Sequence, residues 1–220
     1  MERNWVAAAQ ALDKAASIDP NYGMVDHIKG HLSAAIGTPE EAIAHFRRAV
    51  DADPLNMLPR KYLGRALYYQ GRPTEAVAEL RRAIEINPEF PGLHYELGRA
   101  LLQSNQPEAA STAFEAEPDA TWRQNGVLLG YFAGHRTQEA QAALESFAAH
   151  PNGGEFQLAE AYAFFGQPDK AFQWLDRART QHDPGLIWTR SDPLLASIAA
   201  DPRFTVFLES LHMPPARRGN

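Results

Sequence analysis

Two histidines four residues apart, His27 and His31, with Asp26 beside them, form the one arrangement of ligating side chains in this 220-residue sequence at a spacing that chemistry uses. On a helix an i, i+4 pair shares a face and can hold zinc. The signature H-E-x-x-H needs Glu after the first histidine, and that position is Ile28. No third ligand is evident, so two polar side chains lining a groove are the plainer reading, and no metal is expected. His45, His94, His135, His150, His182 and His212 are scattered over separate segments. No serine lies in a G-x-S-x-G setting. Gly153-Gly154 is followed by Glu155, the wrong charge for cradling phosphate. The absence of cysteine excludes disulfides, thiolate metal sites and cysteine nucleophiles. Neither an enzyme activity nor a cofactor is expected.

Recurring cations with aromatic neighbours offer a second chemistry. Lys61, Arg65, Arg99 and Arg123 are accompanied by Tyr68, Tyr69, Tyr95 and Tyr131. Guanidinium forks and ammonium groups bind carboxylates, and tyrosines add flat contact area. The chain as a whole is acidic, with 21 Lys and Arg against 27 Asp and Glu, a net charge of −6. That balance argues against a nucleic-acid or membrane-surface protein. No apolar run approaches the roughly 18 residues of a spanning helix, and no secretory signal is visible at the start. A cytoplasmic protein is expected, the alternative being the periplasmic part of a membrane-anchored one.

The elements that position these residues repeat. Gly30, Gly64 and Gly98 form one series; Ala8, Ala42, Ala76 and Ala110 a second; Leu12, Phe46, Leu80 and Phe114 a third; Pro20, Pro54 and Pro88 a fourth. Each steps by 34 residues, and Met57 to Pro88 reads most clearly as helix, tight turn and helix. Leu63, Gly64 and Leu67 share a face of the first helix, and Ala76, Leu80 and Ala83 share a face of the second. Glycine lets a neighbouring helix approach its backbone, and Pro88 stops the second helix. A single hairpin of this kind cannot bury both faces, so neighbours must stack.

This pattern resembles the tetratricopeptide repeat (TPR). The resemblance implies an all-α, right-handed superhelical solenoid of antiparallel helix pairs, whose first helices line a concave face. Residues 1–182 are expected to form the array, about five repeats with only half of the first; residues 183–213 form short capping helices, and 214–220 a disordered tail. Residues 3–18 match a second helix without its first, so the chain reads either as a fragment of a longer protein or as an array capped by that helix. Thr38, Pro39 and Glu41 read as a capping box. Pro118 should shorten the helix that carries Ala110 and Phe114. Pro151 to Gly154 reads as a hinge or as a long repeat junction.

Given that geometry, the inward positions are His27 and His31; Lys61, Arg65, Tyr68 and Tyr69; Tyr95 and Arg99; Arg123 and Tyr131; then Phe156, Glu160 and Phe164. A basic, aromatic groove on an acidic protein points to a protein or peptide partner, acidic or ending in a carboxylate. The other reading is that the cations pair internally, with Glu96 or with acidic second helices. A homo-oligomer built through the ends of the array is the alternative to a peptide-binding scaffold.

Three Asp-Pro pairs, at Asp183, Asp192 and Asp201, should each start a short helix, and all three helices should fold over the last exposed face. With Ala171, Trp174 and Leu175, this tail resembles the C-terminal TPR segment of bacterial multidomain signalling proteins: winged-helix regulators, nucleotide cyclases and protein kinases. That resemblance implies a regulatory interaction module and transfers no activity.

Overall fold

A computed structural model describes residues 5–19, 22–151 and 153–212. Pro20 and the expected tail at 214–220 lie outside the described residues. The described chain is helical throughout and contains no strand. A lone helix α1 (Trp5–Ile18) precedes five helix pairs: α2 (Gly23–Ala35) with α3 (Pro39–Ala52), α4 (Met57–Tyr69) with α5 (Pro73–Ile86), α6 (Leu93–Gln103) with α7 (Pro107–Glu115), α8 (Ala120–Ala133) with α9 (Thr137–Ala149), and α10 (Glu155–Phe164) with α11 (Pro168–Thr180). Two 3-10 helices, Pro184–Trp188 and Pro193–Ile198, lead to α12 (Pro202–Ser210). Each pair packs on the next, and α4, α6, α8 and α10 also touch in succession, which gives a TPR-type solenoid with first helices along one inner face.

Local chemistry explains the punctuation. Proline occupies the first turn of α3, α5, α7 and α11, where its missing N–H goes unused. The turn inside each pair needs a left-handed residue. Gly37, Gly71 and Gly166 supply it at φ 79°, 66° and 69°, and Asn105 and His135 supply it at 57° and 58°. After α4, Arg72 N donates to Leu67 O at 2.9 Å and Gly71 N to Tyr68 O at 3.0 Å, which closes the helix end. The helix α7 is nine residues long against fourteen for α3 and α5, as Pro118 predicts. Thr38 does not cap α3: its side chain accepts no amide hydrogen bond, and its hydroxyl donates to Ser33 O at 3.1 Å.

The repeated glycines meet the repeated large residues. A Cβ on Gly64 would stand 2.5 Å from Leu80 Cγ, and one on Gly30 2.6 Å from the Phe46 ring. Phe46, Leu80 and Phe114 are each fully buried. The core divides into two clusters, one of residues from Ala42 to Leu129 together with Trp188 and Leu194, the other of residues from Leu128 to Leu211.

The C-terminal segment differs from expectation in where its helices go. Asp183, Asp192 and Asp201 do cap their short helices, accepting from Gly185 N, Leu194 N and Arg203 N. Of these, α12 covers the last repeat, with Phe204, Phe207 and Leu211 in the same cluster as Phe172, Leu175 and Ala178. The two 3-10 helices turn inward, the first against α2 and α10 and the second against α10. This strap joins the two clusters: Trp188 and Leu194 belong to the first, and Leu186, Leu195 and Ile198 to the second.

Candidate functional site

The inner face is built by α2, α4, α6, α8 and α10, and the strap lies along it. From α2, His27 and His31 stack edge to face, with centroids 4.7 Å apart, and His31 faces Tyr62 at 4.2 Å and Trp188 of the strap at 6.2 Å. Burial lowers the pKa of both; His31 falls to about 3, with the charges of His27 and Arg65 adding to burial. Both are neutral at pH 7. Asp26 turns away from them to His45 Nδ1 at 2.7 Å and Arg48 Nε at 3.0 Å. Among the described residues no group of three ligating side chains converges on a metal position.

From α4, Arg65 donates two hydrogen bonds to Oε1 of Glu96, that from Nε at 2.8 Å. From α6, Nη2 of Arg99 donates to both oxygens of Asp192, at 3.0 and 2.8 Å, and to Oε1 of Glu160 at 3.1 Å. Its guanidinium also lies over Tyr68, Tyr69 and Tyr95, the nearest centroid at 4.7 Å. Tyr69 stacks on Trp188 at 4.9 Å, and the Tyr95 hydroxyl accepts from Asn125 Nδ2 at 2.7 Å. Burial pushes the hydroxyl pKa of all three tyrosines up.

The expectation of an open cationic groove is therefore corrected. Arg65, Tyr68, Tyr69, Tyr95 and Arg99 are buried, and both arginines pair with the chain's own carboxylates. Internal pairing with Glu96, the other reading of the sequence, is what Arg65 does. Arg123 is half-buried and holds the loop between α7 and α8, donating to Glu117 O at 2.7 Å and Pro118 O at 3.3 Å. Tyr131 packs under Arg136, 4.4 Å from its guanidinium.

Lys61 is different. Its ammonium donates to Pro91 O at 2.8 Å and lies over Trp122 at 5.6 Å, and among the described residues no carboxylate comes within ion-pair distance of it. Burial brings its pKa down to about 8, Arg65 adding to the fall while Glu96, Glu117 and Asp119 oppose it. Lys61 faces a cavity of about 460 Å³ at a mouth of the groove, walled by Tyr62, Trp122, Gln157, Asp183, Ile187 and Trp188. That size is in the range of ligand pockets. Glu117 organises this corner: its oxygens accept from Gly92 N at 2.8 Å and Tyr95 N at 3.0 Å and so cap α6 in place of a local side chain. Gly92 stands at φ 82°, with Lys61 Nζ where a Cβ would be.

Sequence reading missed Trp122, Glu117, Trp188 and Asp192 as parts of this face. Trp122 was legible only as a first-helix residue, and Asp192 only as a helix cap. Nothing local marks Asp192 as the partner of Arg99, since the two lie 93 residues apart.

Comparison with known proteins supports the fold. The TPR repeat profile matches residues 64–105, and a second tetratricopeptide profile matches residues 27–54. PilF of Pseudomonas aeruginosa is 21% identical, covers 84% of this chain and 87% of its own, and superposes with a TM-score of 0.58. TTC0263 of Thermus thermophilus, described as a thermophilic TPR protein, is 17% identical over 86% of this chain and 98% of its own, with a TM-score of 0.59. YrrB, described as a TPR protein with an unusual peptide-binding site, is 18% identical over 92% and 98%, with a TM-score of 0.50. No curated protein sequence matches the chain significantly.

Proposed function

We propose that this chain, which carries tetratricopeptide repeats in a TPR-type solenoid, is a non-enzymatic protein-interaction scaffold that takes an acidic segment of a partner protein at the mouth of its inner face, in signalling or regulation. The observation that carries this reading is the contrast between Lys61 and the arginines. The inner face already holds one Asp-bearing segment, the strap, whose carboxylate is gripped by Arg99 and whose indole lies on Tyr69. Lys61 lies beside a cavity without an ion pair of its own among the described residues, and Asp183, the carboxylate that lines the same cavity, is held by the Gly185 and Phe156 amides. A desolvated ammonium gains from an anion, and Trp122, Tyr62 and Trp188 add stacking area for the residues around it. The acidic-peptide partner expected from the sequence is retained here, narrowed to one end of the groove.

The test is a pull-down followed by titration of the recovered segment. Binding near micromolar, about −8 kcal/mol, is typical of such modules. Lys61→Glu should abolish binding, and Arg82→Glu, on the outer helix α5, should leave it alone. Equal binding by both variants would move the site to the ends of the array, and with it favour the oligomerisation reading.

A further inference from the structure

Five ionisable groups meet where the strap crosses the inner face. They are Arg65 on α4, Glu96 and Arg99 on α6, Glu160 on α10 and Asp192 on the strap, and all are buried. Two guanidinium groups thus face three carboxyl groups. An uncompensated buried charge is expensive, and one proton removes it. The hydrogen bonds show where that proton belongs. Glu96 takes Arg65. Asp192 takes Arg99 with both oxygens and also accepts from Leu194 N at 2.9 Å. Glu160 touches Arg99 through Oε1 alone, and its Oε2 meets no donor. Glu96 Oε2 also lacks a hydrogen bond, but Glu96 holds two from Arg65, and that oxygen stands 3.9 Å from Arg99 Nη1. Glu160 has one bond, from a guanidinium nitrogen it shares with Asp192, and is the least compensated of the three acids.

The electrostatics agree. Burial pushes the Glu160 carboxyl well above the usual carboxylate range; Arg99 opposes this, and Asp192 and Glu96 add to it. Asp192 moves the other way: burial works against its ionisation, but Arg99, Glu160 and the Leu194 amide outweigh it. The other titratable groups at the cluster are Tyr68 and Tyr69 on α4 and Tyr95 on α6, neutral through burial. Lys61 sits one turn before Arg65 on α4.

We propose that the strap is a proton-gated latch: it closes on the inner face with a proton on Glu160, and ionisation of Glu160 loosens it, baring Arg99 and removing the Ile187 and Trp188 wall of the mouth cavity. The effect on a bound partner rests on the proposed binding role, whereas the latch itself does not. The sign follows from linkage. In the open state Glu160 is an ordinary carboxyl, so between that range and its raised closed-state value the closed form holds one more proton. Rising pH then favours opening, by up to tenfold per unit.

Hydrogen exchange on the full chain, without any partner, tests this. Opening constants at the Leu194, Leu195 and Thr189 amides are compared between the parent and Glu160→Gln from pH 5.5 to 8.5. The amide keeps the shape and a donor but cannot ionise, and the ratio cancels the intrinsic pH dependence of exchange. The parent-to-variant ratio should climb with pH, approaching tenfold per unit. Within the parent alone, the strap amides should lose protection relative to the α5 amides over the same range. A ratio flat with pH, or strap and α5 amides tracking each other, overturns the latch. Failure of partner binding at Lys61 would leave either outcome unchanged, so the two proposals fail separately.

Discussion

Asp192 ties the C-terminal strap to Arg99 of the middle repeat: both carboxylate oxygens of the aspartate lie within 3.0 Å of one guanidinium nitrogen, across 93 residues of sequence. The contact fixes the strap on the inner face and divides a groove that would be open, leaving one cavity beside Lys61 and another beside Tyr68 and Phe164. Arg99 is 3% exposed, so solvent does little to replace a lost partner.

Arg99→Met should therefore be severe. It leaves Asp192 and Glu160 buried without their cation, and breaking a buried pair from one side typically destabilises by about 3–5 kcal/mol. Urea denaturation followed by circular dichroism measures this. A loss below about 1 kcal/mol would mean the pair is open in solution.

Packing at the repeat glycines can be tested as a coupled pair. Gly64→Ala puts a methyl group 2.5 Å from Leu80 Cγ and should lose about 1–3 kcal/mol by overpacking. Leu80→Ala should lose about 2–5 kcal/mol through the cavity it leaves. In the double variant the alanine at 64 relieves part of that cavity, so the two losses should sum to more than the double variant's loss. Strict additivity would show that the two side chains do not share a space.

The bound carboxylate should be sensitive to pH and to salt. Lys61 titrates at about 8 when free. An anion beside it favours the charged form, so affinity is full below that value and is lost as pH rises through it, by up to tenfold per unit. Calorimetric titrations of an acidic peptide at pH 7 and pH 9.5 should show the drop, and added salt should weaken binding at pH 7. Affinity that is unchanged at pH 9.5 removes Lys61 from the site.

Deleting the chain from Ser191 onward removes Leu194, Leu195, Ile198 and α12 together. It uncovers Phe172 and Leu175 on α11 and leaves Arg99 and Glu160 without Asp192. Exposed apolar area of that kind promotes association. Light scattering after size exclusion should show oligomers at concentrations where the parent is monodisperse, and a monomer as stable as the parent would contradict the strap's structural role.

The architecture was legible because it repeats. Gly30, Gly64 and Gly98 each need the same missing side chain, and Phe46, Leu80 and Phe114 each fill the same space, so one 34-residue unit explains the next. The inward positions were expected from that register, and Arg99 and Tyr69 among them meet the strap, at Asp192 and Trp188. What covers them did not follow. Asp192 obeys a local rule as a helix cap, and the same carboxylate obeys a long-range one as the partner of Arg99; sequence spacing carries only the first. Glu160 was placed among inward residues, yet its role depends on two groups from distant segments. Thr38 failed as a cap because its hydroxyl is turned back to the Ser33 carbonyl, a choice that sequence does not record.

The central claim is that the inner face is filled by the chain's own strap, and nuclear Overhauser spectroscopy on the aromatic side chains tests it without any substitution. In the structure Trp188 lies 4.9 Å from the Tyr69 ring and 6.2 Å from the His31 ring, centroid to centroid. Selectively labelled protein at pH 6 should show cross-peaks from the Trp188 indole to Tyr69 and His31. An indole with solvent-exposed chemical shifts and no cross-peaks to either ring would contradict the claim and leave the groove open.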